Sequence, residues 1–180
     1  MNKLDVYNKQ KIIGEKTIMR SLQRSDLRLS LYWLKDPEIN KFLTQNFENL
    51  TNEQESQWLE FIHSSNKDIV FAILTKKGKI YIGNCGLHEI NWEDKTCEFG
   101  ILIGNKLYWN KGYGSDAIKS AVSFAVNDLK LSKILLYVYE YNQRAIRVYD
   151  KCGFKIKKIL KKEHVYNKKY WDTYLMEFSV

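Results

Sequence analysis

Trp109-Asn110-Lys111-Gly112-Tyr113-Gly114-Ser115 places two glycines at the point where an apolar periodicity begins. Ala117, Ile118, Ala121, Val122, Ala125, Val126 and Leu129 then recur at helical spacing, the strongest helical signal in the chain. A helix that starts beside Gly112 presents N–H groups without intrahelical acceptors and a partial positive charge, and glycine lets an anion come close to the backbone. The stretch therefore reads as an anion-binding loop ahead of a long helix. Upstream, Glu98-Phe99-Gly100-Ile101-Leu102-Ile103 reads as a strand, with residues 104–112 as the connecting loop. Downstream, the pattern predicts a strand over 134–139, a short helix over 142–152, a strand over 154–160 and an alternating last strand over 171–178.

Before the loop, apolar runs at 69–74, 80–90 and 97–103 are separated by Lys76-Lys77-Gly78-Lys79 and by a second turn over 91–95, the spacing of an antiparallel meander. Earlier still, 16–22 alternates as a strand. Asp26 is placed to cap a helix carrying Leu27, Leu31 and Leu34, which should stop near Pro37. Thr51 with Gln54 makes a capping box for a helix with Trp58, Leu59 and Ile62 on one side. A helix pair, a meander and βα units predict a single-domain α/β fold with a mixed central sheet flanked by helices. The segment 1–15 is expected to be loosely ordered.

The 180 residues carry 29 Lys+Arg against 21 Asp+Glu, a net charge of +8, and 44% are hydrophobic, enough to build one sizeable core. The opening residues lack the apolar stretch of a secretory signal, and no segment approaches the roughly 20 apolar residues that span a bilayer. Cys85, Cys97 and Cys152 are odd in number and widely spaced, so neither a disulfide framework nor a metal site is read, and the cytoplasm is the expected compartment. The charge is uneven. Residues 36–60 hold six acids (Asp36, Glu38, Glu48, Glu53, Glu55, Glu60) and one base, whereas 155–169 hold seven lysines and one acid. Either run reads as a solvated face or as one end of a bipolar binding molecule.

Gly112-Tyr113-Gly114-Ser115-Asp116-Ala117 also matches G-x-G-x-x-A, the dinucleotide fingerprint, with Glu140 where a ribose-binding acid would stand. Its context disagrees: the glycines do not follow directly on the strand, a meander precedes them, and too little chain follows Glu140 for a doubly wound sheet. The pattern G-x-x-x-x-G-K-[ST] is absent.

In order and spacing, three features together resemble the GCN5-related N-acetyltransferases (GNAT), from residue 17 to the C-terminus. They are the strand 98–103, the loop [QR]-x-x-G-x-[GA] at 109–114, and Asn142-x-x-Ala145-x-x-x-Tyr149-x-x-x-Gly153-Phe154. Trp109 departs from the family's Gln or Arg. A Trp there, with the stretch 163–172, is similar to the branch of ribosomal-protein N-terminal acetyltransferases and spermidine N-acetyltransferases.

The resemblance implies an N-acetyltransferase domain over 16–180, direct acetyl transfer from acetyl-CoA in a ternary complex, and two splayed parallel strands holding the acyl-CoA. Carried over residue by residue, the amides of Lys111, Gly112, Tyr113, Gly114 and Ser115 would hold the pyrophosphate. Ile101, Leu102 and Ile103 would line the pantetheine arm, Asn142 would contact it, and an N–H near Leu102 would polarise the carbonyl. Tyr149 is the candidate acid for the leaving thiolate and Glu98 the candidate base for the amine, with His88 and Glu89 as the other candidates and an ordered-water relay as the alternative.

In this fold the early helices flank the acceptor side, so the acidic run, Glu38 and Glu55 included, suits a cationic acceptor: a polyamine, a protein N-terminus, an aminoglycoside or an amino sugar. The contrasting reading is a non-catalytic RNA- or ribosome-binding module, with Tyr166, Tyr170 and Trp171 interleaving the lysines. It lacks an RNA motif, so nucleic acid is disfavoured. A homodimer through the last strands is common in the fold.

Overall fold

Short apolar runs broken by lysine and glycine make hairpins, and a long apolar stripe makes a helix that covers them. In the computed structural model, which describes Leu4, Tyr7 and residues 10–180, the strands are β1 (Ile12–Ile13), β2 (Thr17–Ser21), β3 (Ile69–Thr75), β4 (Tyr81–Asn91), β5 (Thr96–Ile103), β6 (Lys133–Tyr139), β7 (Lys155–Tyr166) and β8 (Lys169–Ser179). They form one sheet in the order β1-β2-β3-β4-β5-β6-β8-β7. Neighbours pair antiparallel except β5 and β6, which are parallel, so the sheet is mixed as expected. The helices are α1 (Leu27–Leu34), α2 (Pro37–Asn40), α3 (Asn52–Ser64), α4 (Tyr113–Asn127) and α5 (Gln143–Lys151).

Apolar residues that alternate to one side of the strands, such as Phe99, Leu136 and Met176, pack with Ala117, Ile118, Ala121 and Ala125 of α4 and with Tyr149 of α5. The opposite side is covered over β3 and the start of β4, where Val70, Ala72 and Tyr81 meet Leu27, Leu59, Ile62 and Trp33. Burial of these side chains is the main stabilising term, and the second face is left bare around Gly100 of β5, where a Cβ would meet nothing within 4 Å. The Thr51–Gln54 capping box starts α3 as expected.

Two expectations need correction, and one holds. Asp26 does not cap α1: it is buried and held by Arg20 through two hydrogen bonds of 2.7 and 2.8 Å, while also accepting from the Gln23 N–H. α1 stops at Leu34, near Pro37 as expected, and Pro37 itself opens α2 behind Asp36, whose carboxylate caps the Glu38 N–H. Cys85 and Cys97 are buried, and burial pushes both thiols up to about 12, so they are core residues without nucleophilic character. β7 runs past its predicted end at 160 to Tyr166, and β8 begins earlier than predicted, at Lys169. Lys161 and Lys162 break the apolar pattern, and the hairpin continues through a bulge with Lys162 in the left-handed region. Asp172 secures it by accepting from the Lys162 N–H and Lys161 Nζ. The loosely ordered segment expected over 1–15 lies partly outside the described residues; within them, Ile12 and Ile13 pair with β2 and Leu4 is buried.

Glu55, read as an acceptor contact, instead sits at the α1–α3 interface, 4% exposed, accepting a 3.2 Å hydrogen bond from Ser30 Oγ. Burial holds its pKa above the ordinary glutamate value. The folded state therefore binds this proton more tightly than the unfolded chain, and stability falls as pH rises from the unfolded pKa through the folded one. Glu55→Gln is expected to raise the Tm at pH 7 and to leave it unchanged near pH ~3, where the carboxyl is protonated in both states. An equal shift at both pH values in thermal melts would contradict this assignment.

Candidate active site

β5 and β6 hydrogen-bond at Thr96↔Lys133, Cys97↔Ile134 and Glu98↔Leu135, and then part. β5 stays bound to β4 as far as Gly83↔Ile103, and β6 to β8 as far as Tyr139↔Thr173. Each strand thus keeps its outer partner and exposes its inner edge. Such an edge offers backbone donors and acceptors to an extended ligand. The gap holds a cavity of about 370 Å³, walled by Leu102, Val138, Ala145 and Tyr149 and opening at Gly112 and Ser115. Ile101, Ile103, Gly114 and Asn142 also line it.

The mouth is the loop before α4. Gly112 has φ +85°, a conformation that favours glycine, and it turns the chain into the first turn of α4, where Gly114 and Ser115 line the cavity with it. Side chains from β2 and the turn before it fix this loop from behind. Asp116, in the first turn of α4, accepts from the N–H groups of Glu15, Lys16 and Thr17 at 2.8–3.0 Å and from Thr17 Oγ1 at 2.6 Å. Burial opposes its charge, yet the Thr17 hydroxyl and these N–H groups hold its pKa below the usual carboxylate range. Lys16 Nζ donates to the Lys111 carbonyl at 2.9 Å. In sequence, Asp116 stands only as one position of the G-x-G-x-x-A match; its partners about a hundred residues away give no local signal.

Trp109 donates its indole N–H to the Ile103 carbonyl at 2.6 Å, and the Arg144 guanidinium lies 3.8 Å above its ring. It thereby ties the loop to the end of β5, a role its departure from the family pattern did not reveal. Over the cavity, α2 and the chain behind it form a flap to which Ile39, Phe42 and Leu43 contribute. Lys106 pairs with Asp36 and Glu38, and the hydroxyls of Tyr139 and Tyr141 donate to the carbonyls of Leu43 and Lys41.

Tyr149 is 8% exposed and lines the cavity, and its hydroxyl makes no hydrogen bond among the described residues. Burial pushes its pKa well above the ordinary tyrosine value, so it keeps its proton. Asn142 accepts the Ala145 N–H through Oδ1, capping α5, which leaves its amide N–H groups for the cleft. Glu98 sits at the last paired position of β5, on the face opposite Cys97 and Phe99 and directly across from His88. Burial and the neighbouring Glu89 raise its pKa, with His88 acting in the opposite sense. Glu89 is exposed, at a bulge with φ 49°.

The charge runs resolve differently from the sequence reading. Of the acidic run, Asp36 and Glu38 are neutralised by Lys106, Glu60 pairs with Arg24, and Glu55 is buried. In the basic strip, Lys155, Lys157 and Lys161 pair with acids, and Tyr166 and Trp171 pack on Tyr141, leaving Tyr170 as the exposed ring of the three. A polar hollow of about 650 Å³ lies on the other flank of α4, but Lys16, Lys76 and Asp116 along it are spent on backbone contacts. No helix among the described residues is long and apolar enough to cross a membrane, and no cluster of His, Cys, Asp and Glu among them is arranged to hold a metal.

Residues 16–155 match the acetyltransferase (GNAT) domain family. Among curated proteins, the chain is similar to the spermidine N(1)-acetyltransferase of Vibrio cholerae serotype O1, 29% identical over 165 residues that span 86% of this chain and 88% of that one. Among solved structures, it is similar to the V. cholerae spermidine N-acetyltransferase in complex with CoA and spermine. That likeness has a TM-score of 0.85 and 25% identity over 92% of this chain and 96% of the other. A dodecameric structure of spermidine N-acetyltransferase from V. cholerae is similar with a TM-score of 0.76 and 28% identity, covering 92% and 95% of the two chains.

Asp116→Ala removes four hydrogen bonds to a carboxylate at once and is expected to cost about 3 kcal/mol of unfolding free energy. The amides of Glu15, Lys16 and Thr17 should then exchange with solvent faster than in the parent. A loss below about 1 kcal/mol in urea melts, with those amides unchanged, would show that the clamp carries little of the loop's order.

Proposed function

Because the chain belongs to the GNAT acetyltransferases, we propose that it moves the acetyl group of acetyl-CoA to a primary amine by direct transfer in a ternary complex, with a polyamine as the favoured acceptor. The observation that carries this reading is the parting of β5 and β6 beside a helix N-terminus, which gives an extended thioester a strand edge and its diphosphate a row of N–H groups. Bound acetyl-CoA supplies an activated acyl group on a thiolate leaving group. The amides of Lys111, Gly112, Tyr113, Gly114 and Ser115 hold the pyrophosphate. Ile101, Leu102 and Ile103 pair with the pantetheine arm, Asn142 contacts it, and the N–H near Leu102 stabilises the oxyanion.

Glu98 takes a proton from the nitrogen as the C–N bond forms, and its burial-raised pKa makes it a stronger base than an exposed glutamate. Tyr149, buried and protonated, gives its proton to the sulfur as the C–S bond breaks. The preference for a cationic acceptor rests on the carboxylates of Glu98, Glu89 and Asp68 around the open face of β4 and β5, and on the spermidine-acetylating relatives. With Glu38 and Glu55 engaged elsewhere, it no longer rests on the acidic run. Protein N-termini, aminoglycosides and amino sugars are the acceptors of second rank. Three unpaired cysteines agree with the reducing cytoplasm as its location. The exposed Ile156, Ile159 and Val165 of edge strand β7 offer a surface for self-association, a homodimer at least.

Thiol release from acetyl-CoA with spermidine, spermine, diamines, aminoglycosides, amino sugars and basic N-terminal peptides tests the reading, which expects turnover with the polyamines. Turnover with neutral or anionic amines alone would remove the acceptor assignment. Tyr149→Phe should lower kcat about 100-fold with little change in the KM for acetyl-CoA. Glu98→Gln should lower kcat/KM by a similar factor and abolish the fall on the acid side that its protonation causes. Full activity in either variant would clear that residue of its role.

A further inference from the structure

One step toward the cleft from the pair His88↔Glu98, two glycines face each other across β4 and β5, Gly86↔Gly100. A Cβ on Gly100 would meet nothing within 4 Å, so this stretch of the open face is a trough. A Cβ on Gly86 would run into Nε2 and Cε1 of His88. The His88 ring therefore lies folded over Gly86, leaning along β4 toward the point where the strands part. Its other nitrogen, Nδ1, is 3.2 Å from Oδ1 of Asp68, just before β3.

Asp68 is itself fixed: Ser65 Oγ donates to Oδ2 at 2.7 Å, the Glu89 N–H donates to Oδ1 at 3.3 Å, and its side chain is 14% exposed. The hydrogen bond from His88 is the largest influence holding its pKa below the usual carboxylate range. A carboxylate can only accept, so the neutral imidazole beside it carries its hydrogen on Nδ1 and presents a lone pair on Nε2. The charged groups that face His88 are Asp68 from the loop before β3, Glu89 on its own strand and Glu98 on β5.

An amine that arrives as an ammonium ion loses two protons on its way to an amide: one before it can attack, and one as the C–N bond forms. We propose that His88, held in the Nδ1–H tautomer by Asp68 as positioning residue, takes the first of these protons on Nε2 over the Gly86–Gly100 trough, leaving the second to Glu98. This rests on the amine-acetyltransferase reading above. His88 passes its proton to water, the nitrogen lone pair attacks the thioester carbon, Glu98 takes the second proton, the thiolate leaves with the proton of Tyr149, and the proton on Glu98 then returns through water to the Tyr149 oxygen. The net products are amide, thiol and one released proton.

The test follows kcat/KM for spermidine from pH 7 to pH 10 in the parent, His88→Gln, Asp68→Asn and the double variant. The carboxamide introduced by Asp68→Asn can donate to Nδ1 and so drive the imidazole hydrogen onto Nε2. Both single variants should lose about 100-fold at pH 7, keep the KM for acetyl-CoA, and recover as the pH nears the amine's own pKa of about 10, whereas Glu98→Gln should not recover. The double variant should be no worse than His88→Gln, because the two residues act as one unit. Activity within twofold of the parent at pH 7 in His88→Gln, or a loss that persists undiminished at pH 10, overturns the proposal. Nitrogen NMR of the imidazoles decides the Asp68 role without turnover: Nδ1–H in the parent and Nε2–H in Asp68→Asn support it, and Nε2–H in the parent overturns it. If the parent turns over no amine, the acetyltransferase reading falls, and the imidazole spectrum still decides whether Asp68 sets the tautomer.

Discussion

The separation of β5 from β6 after Glu98↔Leu135 is the constraint on which the rest of the molecule depends. Two parallel neighbours in the middle of a sheet would ordinarily stay paired, because an unpaired buried backbone group costs about as much as a lost hydrogen bond. Here each strand is held firmly by its outer antiparallel partner, β4 or β8, so neither can follow the other. Side chains of α4 and α5, among them Ile118, Val148 and Tyr149, stand under the gap. The sheet is thus built from two well-bonded halves with a seam, and the seam supplies edge amides, a cavity and a path between the two faces.

The structure divides labour at this seam between backbone and side chain. The surface proposed to hold the anion is backbone, made by the left-handed Gly112 and the first turn of α4, and it needs supports that keep the loop in place. Asp116 and Lys16 supply them from behind, and Trp109 ties the loop to β5. In the proposed reaction proton handling falls to side chains, with a buried tyrosine on the helix side of the slot and carboxylates with a histidine on the open face. Burial raises the pKa of both Tyr149 and Glu98, which suits the first to the proposed acid and the second to the proposed base, so one physical cause would serve two opposite tasks.

Local pattern is enough to read the meander, the capping box of α3, the long α4 and the glycine loop, because each depends on residues a few positions apart. The family's spacing then points to Tyr149, Asn142 and the strand edge, and all of these line the same cavity. What cannot be read depends on partners distant in sequence. Glu38 and Glu55 look like free acids until Lys106 and Ser30 are folded against them. Asp68 looks like a loop residue until β4 brings His88 alongside, and Asp116 until β2 closes on it. The end of β7 is hidden for a related reason: a bulge pinned by Asp172 keeps a lysine-rich stretch in the sheet against its own apolar pattern.

The most direct measurement is amide hydrogen exchange with and without CoA, read at the residues of β5 and at the start of α4. The account predicts that CoA slows exchange at those amides of residues 100–103 that point away from β4 and at residues 112–115, with little change along β7 and β8. Protection confined to the β7–β8 hairpin, or no protection anywhere at saturating CoA, would contradict the claim that the seam between β5 and β6 is the acyl-donor site.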